Sequence, residues 1–251
     1  SKGQSLDNVP FTQYAEKIIA IQVGGGGETR EIIVELPTVL TYNKLVYFQV
    51  NEDIILMGTE STVGVYRYRI SDNSFKQVYT SGSNWTSFYL VKDKCFIGGN
   101  GVLSYDIKED TVVMIYSKGR MWSIFQIIGD KCFVISNDNQ SASGLFVYDI
   151  NTESIIASYA DGSNWKYIYP TGNDYLIMGY VGVLYYNTTT NIIEQLTTSG
   201  MWDTIHEVED GYLIYATNLS SYGILFFDSN SKTITQIYDT GYKYIMKTVS
   251  G

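Results

Sequence analysis

The chain has 251 residues, of which 45% are hydrophobic and 17% are charged, and these proportions exclude a disordered chain. Its formal net charge of -9 would repel a phosphate backbone, so we expect no nucleic-acid partner. No apolar run approaches the roughly 20 residues that a bilayer-spanning helix needs, so we expect no membrane insertion. With 23 Tyr, 23 Gly and only 3 Pro, the composition favours strands and tight turns.

The first predicted element lies at residues 15–23 and has two interpretations. In a helix, four apolar side chains would share one face: Phe11, Tyr14, Ile18 and Ile21. In a strand, residues 17–23 would pair with residues 31–36 through a glycine-rich turn. We favour the helix, because Pro10 would occupy its first turn.

From residue 64 onwards one short pattern recurs along the chain. It consists of a Gly, a branched aliphatic residue, two further residues, an aromatic residue and usually Asp or Asn. The repeated glycines are Gly64, Gly101, Gly144, Gly182 and Gly223. They are 37, 43, 38 and 41 residues apart, which is close to the period of about 40 to 50 residues for one β-propeller blade.

A second series of residues runs in step with the glycines. Its members are Trp85, Trp122, Trp165 and Trp202, with Leu45 in the equivalent place of the first copy. Within the second copy, alternation and turn residues predict four strands, at 85–91, 94–98, 101–107 and 111–116. Four short antiparallel strands per repeat make one blade.

The repeat predicts an all-β fold, a β-propeller of four-stranded antiparallel blades over residues 31–251. Five copies are complete, and residues 31–36 and 242–249 would supply strands of a sixth blade that joins the two ends. We prefer six blades, although a helix at 15–23 would leave that sixth blade thin and make five an alternative. Residues 1–30 are expected to form a linker or attachment segment.

Cys95 and Cys132 occupy the same local context in two successive copies, each between Lys and Phe. Alternation within a strand predicts that both are buried and reduced. A disulfide is disfavoured because equivalent positions of neighbouring blades usually lie farther apart than the roughly 7 Å limit on Cα separation. Reduced thiols indicate synthesis in a reducing cytoplasm.

The chain begins with a loose motif: Lys2-Gly3, Leu6, an amphipathic stretch at 11–18, Ile21 and a glycine run at 24–27. This motif resembles a segment of tail-fibre and baseplate proteins of phages that infect Gram-positive bacteria. It covers about a tenth of the chain. In that family such segments link an attachment region to a distal domain that often binds a host receptor. The resemblance implies a receptor-binding or structural tail domain, on a virion or an extracellular surface, with other tail proteins as partners.

Catalytic material is scarce in this sequence. His206 is the only histidine, so we expect it to be structural and expect no metal centre, no cofactor and no Ser-His-Asp triad. A propeller glycosidase would need a pair of carboxylates in its channel, and the residual candidates are Asp203, Glu207 and Glu60. Most other acidic residues fall in predicted turns. We therefore expect a binding protein and not an enzyme.

In an up-and-down blade, the turn between strands two and three lies at the same end as the connection to the next blade. This end, the tryptophan rim, has loops of varied length, from 98–101 to 136–144. Loops that vary on a rigid scaffold often bind ligands, and aromatic faces beside amides suit sugars. The predicted glycan-binding residues are Asn84, Trp85, Arg120, Trp122, Asn164, Trp165, Tyr180 and Tyr222. In the alternative interpretation the tryptophans are wedges between blades.

Overall fold

The computed structural model describes residues 17–23, 29–35, 45–59, 64–136, 144–160, 165–198, 200–216 and 223–238. The phage-like motif before residue 17, the glycine run and the predicted strand at 242–249 lie outside these ranges. The chain divides into two compact units, residues 1–123 and 124–251. The unit boundary falls within a strand.

Twenty of the strands form five four-stranded sheets, and in each sheet the strands follow one another in chain order. We call these sheets blades A to E. Blade A contains β3 (Leu45–Gln49), β4 (Ile54–Thr59), β5 (Val65–Arg69) and β6 (Ser74–Tyr79). Blade B contains β7 (Ser87–Val91), β8 (Lys94–Gly99), β9 (Gly101–Asp106) and β10 (Thr111–Tyr116).

The other three blades repeat this plan. Blade C contains β11 (Trp122–Ile128), β12 (Lys131–Ser136), β13 (Leu145–Asp149) and β14 (Ser154–Tyr159). Blade D contains β15 (Trp165–Thr171), β16 (Asp174–Gly179), β17 (Gly182–Asn187) and β18 (Ile192–Thr197). Blade E contains β19 (Thr204–Val208), β20 (Gly211–Tyr215), β21 (Ile224–Asp228) and β22 (Ile234–Tyr238). The predicted all-β class is confirmed, and the repeated blades are consistent with a β-propeller.

The middle strands of blades A to D are largely buried. Every residue of β4 is buried, as are five of the six residues of β9. Fourth strands such as β10 are largely on the surface, and even the apolar side chains of Val113 and Met114 are exposed there. A strand that is covered on both faces needs a continuous apolar run, whereas an outer strand needs only one apolar face. This contrast places much of the core of blades A to D in strands two and three.

The helix that we favoured at residues 15–23 is wrong. The chain instead forms β1 (Lys17–Val23), which pairs antiparallel with β2 (Thr29–Glu35) from Lys17 opposite Glu35 to Val23 opposite Thr29. The β-branched residues of β1 favour an extended backbone. Pairing with β2 stabilises the strand, although the spacing of the apolar residues would also suit a helix. The predicted domain boundary at residue 30 falls inside β2.

The Asp or Asn that ends the repeated pattern closes the turn between strands three and four. In blade C, Asp149 Oδ1 accepts hydrogen bonds from the backbone N–H groups of Asn151 and Thr152, at 2.9 and 2.7 Å. Hydrogen bonds from the backbone N–H group and the hydroxyl of Thr152, and from the backbone N–H group of Asn151, lower the pKa of the Asp149 carboxyl. The same turn occurs at Asp106, Asn187 and Asp228. These acidic turns are structural, as the sequence predicts.

The repeated glycine at the start of strand three has a steric cause. At Gly144 the backbone φ is 65°, and a Cβ atom would lie 1.7 Å from the carbonyl oxygen of Tyr159. No side chain fits in that space. The glycine therefore lets the fourth strand approach the third.

Both cysteines are free and buried, as predicted. Burial raises the pKa of each thiol to about 12, so neither is a reactive thiolate. Among the described residues, no helix could span a bilayer.

Candidate ligand-binding site

The tryptophans form a repeated internal contact. The indole N–H of Trp85 donates to the carbonyl oxygen of Ser81 at 3.1 Å, and Trp122 donates to the carbonyl oxygen of Lys118 at 2.8 Å. A tyrosine at the end of the preceding fourth strand meets each indole edge to face. The ring centres are 5.6 Å apart for Tyr79 and Trp85 and 5.1 Å apart for Tyr116 and Trp122. This geometry is favourable for aromatic pairs.

Three of the tryptophans pack between neighbouring blades of one unit. Trp85 shares a cluster with Leu56 of blade A and Ile97 of blade B. Trp165 lies in the cluster of blades C and D, and Trp202 lies in that of blades D and E. The wedge interpretation is therefore correct for these three residues.

Burial removes the stacking role that we predicted for Trp85, Trp122 and Trp165. All three side chains have 0% of their surface exposed, so no ring face is available to a ligand. The physical reason is that a large apolar ring contributes more when it is buried than when it remains exposed to water. We correct these three assignments to structural residues.

The other predicted site residues fall into three groups. Asn84 and Arg120 are exposed, on connections between blades. Asn164 and Tyr222 lie outside the described residues. Tyr180, on the turn between β16 and β17, is 41% exposed and lines a cavity. Ligand binding by any of these residues remains a prediction.

This cavity, the D–E cavity, lies at the end of blades D and E that carries the tryptophan-rim loops. Its volume is about 270 Å³. Its lining residues are Lys166, Tyr167, Gly179, Tyr180, Met201, Trp202, Asp203 and Ala216. Such a volume is close to the lower end of the range for small-molecule sites, about 300 to 1,000 Å³.

Two exposed tyrosines and a lysine stand at one side of the cavity. Tyr167 is 38% exposed and follows Lys166 in β15. Lys166 Nζ donates to the hydroxyl oxygen of Tyr180 at 2.9 Å and lies 4.1 Å from the centre of the Tyr180 ring. A cation over an aromatic face is held electrostatically. The contact gives Lys166 and Tyr180 a defined relative position.

The other side is fixed by the connection into blade E. The backbone N–H of Trp202 donates to the carbonyl oxygen of Gly179 at 3.0 Å, which ties this connection to blade D. The next residue, Asp203, accepts a hydrogen bond at 2.9 Å from the Thr204 hydroxyl on one carboxylate oxygen. Asp203 is partly exposed. The cavity thus combines aromatic faces with one cationic and one anionic side chain.

The described catalytic candidates do not all lie at this cavity. Asp203 is the one carboxylate among the described lining residues. Glu207 is exposed further along β19, and Glu60 lies outside the described residues. His206 is half-buried in β19 opposite Leu213, in the first strand of a blade as predicted. In the described part of the chain, no group of three or more His, Cys, Asp or Glu side chains could hold a metal ion.

Sequence reasoning missed Lys166 and Tyr167. Both directly follow the tryptophan of the fourth copy, where blade B has Thr86 and Ser87. A search for repeated residues directs attention to the tryptophans and away from such positions. The signal that could have identified them is that the fourth copy differs from blade B at the two positions after its tryptophan.

Comparison with solved structures gives likeness of fold only. *Citrobacter koseri* AztD matches 93% of this chain and 68% of its own length, with 12% identity and a TM-score of 0.50. The dihydro-heme d1 dehydrogenase NirN matches 95% of this chain and 54% of its own, with 8% identity and a TM-score of 0.47.

The extracellular domain of a hybrid two-component system from *B. thetaiotaomicron* has 15% identity and a TM-score of 0.38. The match covers 86% of this chain and 32% of that domain, so the chain spans about a third of its length. No protein-family model and no curated protein matches the sequence.

Proposed function

We propose that this protein is a non-catalytic recognition domain that binds a cell-surface carbohydrate in the D–E cavity. The observation that carries the proposal is the pair of exposed tyrosines, Tyr167 and Tyr180, beside Lys166 and Asp203 in one cavity. A pyranose presents apolar C–H patches and hydroxyl groups together. Aromatic faces bind the former, and charged or amide side chains bind the latter.

Binding without hydrolysis is the better account of this cavity. A glycosidase places two carboxyl groups about 5 to 10 Å apart across the scissile bond. The described lining of the D–E cavity offers Asp203 alone. A host-receptor domain of a phage tail is the setting that the motif before residue 30 implies, and the cavity supplies the binding element that such a domain needs.

A structural scaffold that binds only protein is the second candidate. The outer strand of blade E favours it, because Ile237 is 53% exposed and Tyr238 is 42% exposed. Exposed apolar side chains on an outer strand are available for contact with another protein. This surface lies on β22 and does not contribute to the D–E cavity.

For the architecture, we propose a closed propeller with six blades. The pairing of β1 with β2 supports six, because it supplies two strands of the composite blade. A compact 251-residue domain has a radius of gyration of about 18 Å. Small-angle X-ray scattering should give a compact disc near this value, and an elongated particle would overturn ring closure.

A glycan array tests the functional proposal. The protein should bind a defined set of glycans, and Tyr180→Ala should weaken this binding by more than about fivefold, as loss of an anchor aromatic does. Tyr238→Ala is the matched control, since it removes an equally exposed tyrosine outside the cavity. If the array shows no binding, or if both variants bind as the parent protein does, carbohydrate recognition by this cavity is rejected.

A further inference from the structure

Lys166 differs from other lysines of this protein in its partner. Five lysines form ion pairs with aspartates of the blade turns: Lys76 with Asp110, Lys94 with Asp106, Lys108 with Asp93, Lys131 with Asp130, and Lys232 with Asp174. Lys166 instead contacts the hydroxyl and the ring of Tyr180. Among the described residues it forms no ion pair. Within the described part of the chain, its ammonium group is therefore held in place by Tyr180 without an ion-pair partner.

An ammonium group has three N–H donors, and the Tyr180 hydroxyl accepts from one of them. Counting the described residues alone, two N–H donors and the positive charge are left at the cavity that we propose as the ligand site. An anionic ligand group could use both, in a charge-assisted hydrogen bond of the stronger kind.

The remaining lining limits what else the ligand carries. The Asp203 carboxylate accepts hydrogen bonds and donates none, so it suits hydroxyl groups. The exposed faces of Tyr167 and Tyr180 suit an apolar ring face. The cavity therefore fits a ligand whose acidic group contacts Lys166 and whose hydroxyl groups donate to Asp203.

We infer that the D–E cavity binds a sugar that carries an anionic substituent, with Lys166 as the contact to that substituent. The inference rests on the proposed function and names its ligand class. Carboxylate, sulfate and phosphate share the required chemistry. These three groups differ in charge and shape. Measuring the binding of sugars that carry each group therefore identifies which substituent the cavity prefers.

The test uses pairs of glycans that differ only in the acidic group, such as a glucoside oligomer and its glucuronic acid counterpart, with sulfated and phosphorylated versions. The complete protein should bind at least one acidic member about tenfold more tightly than the neutral member. This preference should weaken as salt concentration rises. Lys166→Met should abolish the preference, because the acidic glycan should lose more affinity than the neutral one, whereas Lys166→Arg should retain it.

Lys118→Met is the control for loss of one positive charge, because this exposed lysine is on the connection that precedes Trp122. It should keep the preference for acidic glycans. Equal binding of neutral and acidic glycans, unaffected by Lys166→Met, would overturn the inference while the proposed function stands. Failure to bind any glycan would overturn both.

Discussion

The junction between blades A and B and the junction between blades D and E are built around the same tryptophan position. Trp85 fills the first and Trp202 the second, each within an apolar cluster drawn from both blades. The side chains around the two tryptophans differ. The next residue is Thr86 in the first case and Asp203 in the second, and blade D adds Lys166 and Tyr167 to the lining of the D–E cavity.

The two junctions also differ in their ion pairs. Between blades A and B, the buried Arg67 guanidinium binds the Asp110 carboxylate through two nitrogens, at 2.6 and 3.2 Å. Between blades D and E, Lys232 Nζ lies 3.8 Å from the nearer Asp174 oxygen and is more exposed. The repeated residues therefore hold blades together, whereas residues that vary at fixed positions shape local surfaces.

The largest expected effect is loss of a wedge tryptophan. Trp85→Ala and Trp202→Ala should each lower the free energy of unfolding by about 3 to 5 kcal/mol, because each leaves a cavity between two blades. Urea denaturation measures this loss. A variant that unfolds like the parent protein would show that its tryptophan is not a wedge, and the two junctions would then differ in their cores as well.

The ion pairs should separate the two junctions. Arg67→Met leaves the Asp110 carboxylate without its main partner, and we expect a loss of about 3 kcal/mol, the lower end of the range for a broken buried pair. Lys232→Met is the matched control, and it should cost less than about 1 kcal/mol, because the pair is partly exposed. Equal losses in urea denaturation would contradict the distinction.

The pH dependence sharpens the same contrast. Burial raises the pKa of the Asp110 carboxyl, but hydrogen bonds from Arg67 and Tyr105 and the charge of Arg67 outweigh it, so the net pKa is lowered. A lowered folded-state pKa gives stability that is present above the unfolded value of about 3.9 and is lost as pH falls through the folded value.

The difference in unfolding free energy between the parent protein and Arg67→Met should therefore be full at pH 7. It should shrink as the pH falls below about 4, because protonation of Asp110 removes the ion pair from the parent protein. Denaturation at a series of pH values measures it. A difference that stays constant down to the folded pKa would contradict the assigned role of Asp110.

The smallest expected effect concerns backbone strain in the connections between blades. Asn84 and Met121 occupy equivalent positions before their tryptophans, with φ of 60° and 53°. Asn tolerates this left-handed conformation better than Met. Met121→Asn should raise the free energy of unfolding by about 0.5 kcal/mol, and Asn84→Met should lower it. A loss of stability in Met121→Asn would mean that the exposed Met121 side chain makes a stabilising contact.

Most of the blade structure could be predicted from the sequence because it depends on local, repeated patterns. The four strands predicted for blade B match β7 to β10 to within two residues at every end. The element at residues 15–23 was mispredicted because its choice between helix and strand depends on pairing with β2, which helical spacing does not report.

The candidate site was predicted only in part. The tryptophan rim and Tyr180 followed from strand order and loop variation. The D–E cavity did not, because it depends on how two blades pack together and on Lys166 and Tyr167, which do not repeat. Burial of the tryptophans likewise depends on the neighbouring blade, although a Tyr stands six residues before Trp85, Trp122 and Trp165.

The most direct test of the central claim gives blade D the residues of another blade at the two unrepeated positions. The double variant Lys166→Thr with Tyr167→Ser gives blade D the two residues that follow the tryptophan in blade B. Titration with the glycans selected by the array and urea denaturation should be carried out on the same preparation. We predict that glycan binding is lost and that the free energy of unfolding stays within about 1 kcal/mol of the parent value, since both side chains are partly exposed. Glycan binding at the parent affinity would contradict the claim that the unrepeated residues of blade D form the site.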